Sequence, residues 1–181
     1  MTTATLLSGR EARLGTEELI VSKTDRQGRL TYVNDTFLKV SGYTEKSLIG
    51  EPHNVVRHPA MPRAVFRLLW DRLEAGREVF AYVVNKTADG GYYWVFAHVT
   101  PSFGPGGVIV GFHSSRRAPS QAALGRVRPL YDRLLAAEAG AGGARAQAEA
   151  GYSALQAELE AQGLSYDELI WHITDPTLTG A

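Results

Sequence analysis

Three runs rich in β-branched and aromatic residues, EVFAYVVNKT, GYYWVFAHVTPSF and GVIVGFHSSR, fill residues 78–116 and are joined through ADGG and GPGG. Connections this short cannot carry a crossover, so the runs predict antiparallel strands arranged as a meander. The central run adds a second constraint. Its alternate sets, Tyr93, Val95, Ala97 and Val99 on one side and Trp94, Phe96 and His98 on the other, are both largely apolar. An antiparallel sheet with one wet face is normally apolar on one side only. Both faces are therefore expected to be covered, the first set lining an interior pocket and the second packing on the N-terminal segment, a C-terminal helix or a second protomer.

Upstream, LIVSKT and RLTYVN flank the turn-forming DRQG and predict a β-hairpin. Short helices are expected next. Asn34 or Asp35 suits the N-cap of one, with Gly42 as its stop, and Thr44 and Gly50 bracket another. MPRAVFRLLWDRLEAG predicts a longer helix with Pro62 at its start, Gly76 at its end and one apolar stripe of Val65, Phe66, Leu69, Trp70 and Leu73. The element order is thus β-β-α-α-α-β-β-β within about 100 residues.

Composition shifts near Ala118 to Ala, Leu, Glu, Arg and Gln, which favour helix. EAGAGGA, Glu138 to Ala144, interrupts that region as a hinge or loop. Beyond it, Leu155 and Leu159 share a helical face, and Ser165 caps a short helix carrying Leu169, Ile170, Trp171 and Ile173, which is expected to dock on the domain or on a partner. The expected divisions are an N-terminal cap segment (1–17), a mixed domain (18–117), a helix (118–139) and a Gly/Ala-rich hinge with a helical tail (140–181). Zero formal net charge argues against nucleic acid as a partner. The chain has no cysteine, which removes disulfides, thiolate nucleophiles and Cys-ligated metals and fits a cytoplasmic setting. No apolar stretch reaches membrane-span length.

The most unusual segment is PHNVVRHPAMP, residues 52–62, where two histidines and an arginine are fenced by three prolines. Together with Asn34, Phe37, Gly42, Tyr43 and Gly50 it resembles the flavin-binding PAS domain of bacterial aerotaxis receptors. The resemblance runs from about Glu18 to Arg117, and VRPLYDRLLAAEAG also resembles the segment immediately C-terminal to that domain in those receptors. It implies an α+β PAS fold: a five-stranded antiparallel sheet with helices on one face, followed by C-terminal helices. It also implies FAD as cofactor, with Arg57 and His58 in its retention and Asn34, His53, Phe66, Trp70 and Asn85 contacting or organising the ring site. The sequence departs from the family at Ala60, where Asp is usual. From residue 140 onward neither the receptors' membrane anchor nor their signalling hairpin is matched, so the expected unit is the sensor module alone.

Each of these residues also has a plain structural reading. Phe66 and Trp70 sit on an apolar stripe that could simply be core, and Asn34 could be only a helix N-cap. His53 and His58 could be loop histidines, while Asn85, inside an apolar strand, needs partners in any case. His98 and His113 read as sheet-face residues, too far from the other pair to suggest zinc. Without a cysteine the photoadduct chemistry of light-sensing flavin domains is excluded, which leaves redox or oxygen sensing reported through protein contacts. No nucleophile or acid–base pair argues for an enzyme. The expected partners are a second copy of the chain and a signalling protein such as a chemoreceptor or kinase. The alternatives are a haem-binding gas sensor using His53 or His58 as axial ligand, and a cofactor-free interaction module.

Overall fold

The computed structural model describes residue 7 and residues 9–175. These contain β1 (Ile20–Asp25), β2 (Leu30–Val33), α1 (Asp35–Ser41), α2 (Glu45–Leu48), a 3-10 turn (His53–Val56), α3 (Arg63–Glu74), β3 (Val79–Lys86), β4 (Tyr92–Phe103), β5 (Ile109–Arg117), α4 (Gln121–Ala139), α5 (Gly143–Gln162) and α6 (Tyr166–Thr174). The strands form one antiparallel sheet in the order β2-β1-β5-β4-β3. Two compact units emerge, one built from residues 9–58 and 69–118, the other from residues 59–68 and 119–175.

In the sheet unit the local signals act as expected. Asn34 caps α1 by accepting from Phe37 N–H, and Gly42 ends the helix in the left-handed conformation. Thr44 and Ser47 form a reciprocal capping box on α2. Gly28, at φ +77°, turns β1 into β2, and a Cβ there would lie 3.1 Å from the Trp70 ring, so both conformation and space call for glycine. At Tyr92 the β5 edge has not yet begun. Residues 10–12 take its place, with Tyr92 N–H donating to Arg10 O (3.1 Å) and Ala12 N–H to Tyr92 O (2.8 Å).

Register fixes which side chains share a face. Ile20, Ser22, Val79, Ala81, Val83, Asn85, Tyr93, Val95, Ala97, Phe112, Ser114 and Arg116 point to one side, hereafter the inner face. Phe37 of α1 lies on that side, with Arg116 over its ring. The opposite side carries Tyr82, Val84, Trp94 and Phe96, all buried, so both alternate sets are covered in this part of the meander, while Phe103 and Val110 at its far end stay exposed.

The helical unit rests on the α4–α5 hairpin and on α6. α4 buries Leu124, Val127, Tyr131 and Leu134 at helical spacing, and α5 contributes Leu155 and Leu159. The expected docking of the last helix occurs within the chain: α6 packs on α4, burying Leu169, Ile170 and Ile173, and Arg126 Nη1 donates to Ile173 O at 3.1 Å. The first turns of α3 belong to this unit as well. Ala64 N–H, one of the donors that a helix start leaves unpaired, is satisfied by Glu138 Oε1 at 2.9 Å. The buried carboxylate lies at the positive end of α3, where the helix dipole favours it. Arg63 Nε donates to Gln147 Oε1 at 2.9 Å, and Arg67 pairs with Glu149 and stacks on Tyr152.

Gly151 makes room for this carboxylate, since a Cβ there would come within 2.5 Å of Glu138 Oε1 and 3.0 Å of Ala64 Cβ. Helix propensity alone favours Ala over Gly by ~1 kcal/mol. A Gly151→Ala protein should nevertheless be destabilised, because overpacking a filled site costs ~1–3 kcal/mol before that gain. Gly125→Ala, on an exposed part of α4 with nothing near the new methyl, should be stabilised. Urea unfolding of both variants checks the pair. If both move stability the same way, the Glu138 socket has no energetic content.

Candidate functional site

The inner face holds a buried cation. Arg116, on β5, is 3% exposed, and among the described residues no carboxylate pairs with it. Its Nε donates to Ser114 Oγ at 2.9 Å, and its Nη2 donates to Ser22 Oγ and to His53 Nε2, the latter at 2.8 Å. The guanidinium lies over Phe37 with 5.1 Å from its central carbon to the ring centroid. Because a guanidinium can only donate, His53 Nε2 must accept, which places the ring proton on Nδ1 and keeps the imidazole neutral. Burial and then the Arg116 charge depress the His53 pKa to about 3. Burial lowers Arg116 to about 10, so it stays charged at neutral pH.

Not every donor of this face is used. Arg116 Nη1, Asn85 Nδ2 and the Tyr93 hydroxyl are buried without a well-formed hydrogen bond among the described residues, although the Asn85 amide lies close enough to the Tyr93 oxygen to act on it. Asn85 and Tyr93 are cross-strand neighbours, and Tyr93 and Arg116 lie close enough to interact electrostatically. Burial raises the Tyr93 pKa beyond any working pH, so the phenol keeps its proton. The register also places Ala81 and Ala97 side by side on this face, where larger residues would fill space.

The seven residues singled out by sequence fall into different roles. Asn85 is buried on the inner face, and the adjoining segment is bridged to β3 backbone to backbone through Arg57 and Asn85. His58 is buried, with its ring 6.0 Å from Tyr92 and its pKa lowered by burial and then by Lys86. His53 belongs to the Arg116 network. Trp70 packs edge-on against Phe112 at 5.2 Å and covers the Gly28 turn while remaining 36% exposed. Asn34 has both ends of its amide committed to backbone, accepting from Val21 and Phe37 N–H and donating to Leu19 O. Phe66 lies half-buried in the part of α3 that belongs to the helical unit. Sequence reasoning missed Arg116, Ser22 and Ser114, and gave Tyr93 only as one of the pocket-lining residues of the central strand. The signal for Arg116 was the Arg116–Arg117 pair at a strand end, where alternation must turn one of the two inward.

A cleft of about 490 Å³ beside α1, lined by Arg10, Glu11, Arg13, Glu18, Thr36 and Lys39 among others, contains none of the seven. The described residues contain no group of three or more side chains placed to hold a metal, and no helix among them is long and apolar enough to cross a membrane.

Residues 20–115 match the sequence model of the family described as PAS fold. The chain belongs to the PAS family. This PAS chain is 40% identical over 121 residues to the aerotaxis receptor of Escherichia coli strain K12, an alignment covering 67% of this chain and 24% of the receptor. It is 26% identical over 97 residues to the nitrogen fixation regulatory protein of Klebsiella pneumoniae, covering 54% of this chain and 20% of that protein. The PAS chain therefore spans a quarter or less of the length of these two relatives. Among solved structures it is similar to the dark structure of the blue-light photoreceptor Aureochrome1 LOV, with TM-score 0.54 and 20% identity over 61% of this chain and 81% of that one. At that identity the likeness concerns the fold.

The His53 arrangement makes PAS-domain stability depend on pH in a known direction. Between its ordinary value near 6.5 and its folded value near 3, the unfolded chain binds a proton that the folded chain does not. Stability should therefore be fully present above pH 6.5 and fall as pH drops, by up to ~1.4 kcal/mol per unit from this residue. Carboxylates enter only lower, so the window from pH 6.5 to 5 isolates histidines. His53→Gln, which keeps an acceptor for Arg116 but cannot titrate, should flatten the profile in denaturant unfolding. An unchanged slope would refute the neutral, buried assignment.

Proposed function

We propose that this PAS domain binds FAD on the inner face of its sheet and serves as a cytoplasmic redox or oxygen sensor that reports through contacts with a second copy and a signalling protein. One observation carries the reading: buried polar groups from three neighbouring strands, Asn85, Tyr93 and Arg116, keep hydrogen-bonding capacity that the described residues do not fill, the Tyr93 hydroxyl proton and Arg116 Nη1 above all. Such groups are costly in an apolar core unless a ligand satisfies them. An isoalloxazine edge, rich in carbonyl and ring-nitrogen acceptors, suits that donor set. A non-polar ligand would leave it unsatisfied.

When bound, FAD supplies a reversible electron-accepting couple. The protein's part is to bind and orient it. Asn85, Tyr93 and Arg116 would hold the polar edge, and the small Ala81 and Ala97 would leave room for the ring. Arg57, bridged to Asn85 through backbone, and buried His58 would close the Pro-rich segment beside it. Trp70 would pack at the margin, and Asn34 would hold β1 against α1 behind the site. Support for a sensing role comes from the relatives, whose names are those of an aerotaxis receptor and a regulatory protein. The reading is a non-enzymatic one, in keeping with relatives named as a receptor and a regulatory protein.

Protein purified with ample flavin should be yellow, with an absorption band near roughly 450 nm that bleaches on anaerobic reduction and returns in air. Arg57→Ala should lower occupancy more than His58→Ala, because it removes a permanent charge with several donors rather than one neutral donor. Asn85→Ala should weaken FAD binding by about tenfold or more, the scale of a lost polar contact to a buried ligand. A protein that takes up no FAD, or one with a Soret band, overturns the reading. The reporting role requires the two redox states to differ in affinity for the partner or for the second copy, because a ligand state without differential binding shifts no equilibrium.

A further inference from the structure

Among the described residues one acidic and one guanidinium side chain are buried, Glu138 and Arg116. The carboxylate receives a helix-terminal N–H. Arg116 is the unusual one. Its five N–H groups meet a serine, a second serine and a neutral imidazole, and the two on Nη1 meet nothing among the described residues. Neutral acceptors satisfy hydrogen bonds without cancelling charge, so the inner face keeps a full positive charge in a low-dielectric setting. If the guanidinium served only as a structural pin between β1 and β5, a neutral donor such as Gln or Asn would do so without the desolvation cost of an ion.

We propose that Arg116 sets the redox bias of the flavin site, donating through Nη1 to the bound ring and favouring its reduced, negatively charged form. The proposal rests on the FAD reading above and names the residue that turns ligand binding into a preference between ligand states. Reduction by an external donor brings in two electrons. With one proton taken up at the ring, one negative charge remains, and Arg116 is the buried charged group of the sheet's inner face that can meet it, while Arg57, on the Pro-rich segment, is the same in wild type and in the Arg116 variants. The neutral groups around it, Ser22, Ser114, His53, Asn85 and Tyr93, supply no competing charge. Binding energy that exists for one redox state and not for the other moves the potential upward.

The test uses the whole chain loaded with FAD, reduced anaerobically with dithionite against a reference dye, as wild type, Arg116→Gln and Arg116→Lys. Arg116→Gln removes a donor to the ring in both states, so it should weaken oxidised FAD, and should weaken reduced FAD at least tenfold more, lowering the potential by about 30 mV or more for the two-electron couple. Arg116→Lys should keep most of the wild-type value. Equal potentials in wild type and Arg116→Gln overturn the proposal, and so do equal losses in Gln and Lys, which would point to the shape of the fork and not its charge. If Arg116→Gln does not fold, wild type decides alone: its reduced flavin should keep the spectrum of the anionic form as pH falls from 8 to 6. Protonation there like that of free reduced flavin overturns the assignment while leaving FAD binding intact. Failure of the wild type to take up FAD overturns both readings.

Discussion

A single ion, Arg116, organises the interior of the sheet unit. Removing a guanidinium from water costs several kcal/mol, and no carboxylate offsets it among the described residues, so its neighbours must supply every compensating contact. They come from four places: Ser114 on β5, Ser22 on β1, His53 in the 3-10 turn and Phe37 on α1. Displacing any of them would leave part of the charge unsupported. The paired strands, the turn and the helix are therefore held to one arrangement by the same charge.

The ion also settles the character of its surroundings. It fixes the protonation and orientation of His53, and its bonds to the two serines and the imidazole are made through Nε and Nη2, which leaves Nη1 unused by them. The donors without well-formed partners sit on paired strands rather than on loops, so their positions are fixed by the sheet itself. The Pro-rich segment is tied to β3 at Arg57 through backbone, which leaves side-chain chemistry there independent of how the segment is anchored.

Much of the fold was legible because it rests on local chemistry. Glycines at turns, caps at Asn34, Thr44 and Ser165, and runs of strand-forming residues each declare themselves within a few positions. The α3 stop at Gly76 was read the same way, although the helix begins at Arg63, one residue beyond the expected Pro62, because Pro62 precedes the first helical residue instead of occupying it. The site was legible where a side chain contradicts its surroundings, as Asn85 does in an apolar strand. Arg116 was hidden because charged residues at strand ends usually point to water, and the choice between Arg116 and Arg117 depends on register with β1 and β4. Asn34 showed the converse: its amide is consumed by three backbone partners, two of them more than ten residues away in sequence, which no local pattern reveals. Glu138 and Gly151 were equally hidden, since an acid in a helix and a glycine in a helix each look unremarkable alone.

The fit among Glu138, Gly151 and Ala64 limits how the helical unit can move. The carboxylate of α4 occupies the gap that one missing side chain leaves on α5, and it ends on one amide of α3. Sliding α5 along its axis by about one turn would bring Gln147 or Leu155, its neighbours on the same face, to that gap, so the helix pair has one register and no neighbouring one. Longitudinal slippage is thereby removed from the motions open to these helices. Any displacement they transmit must be a tilt, a rotation or a separation, and a separation would withdraw a charge from a helix terminus in a single step.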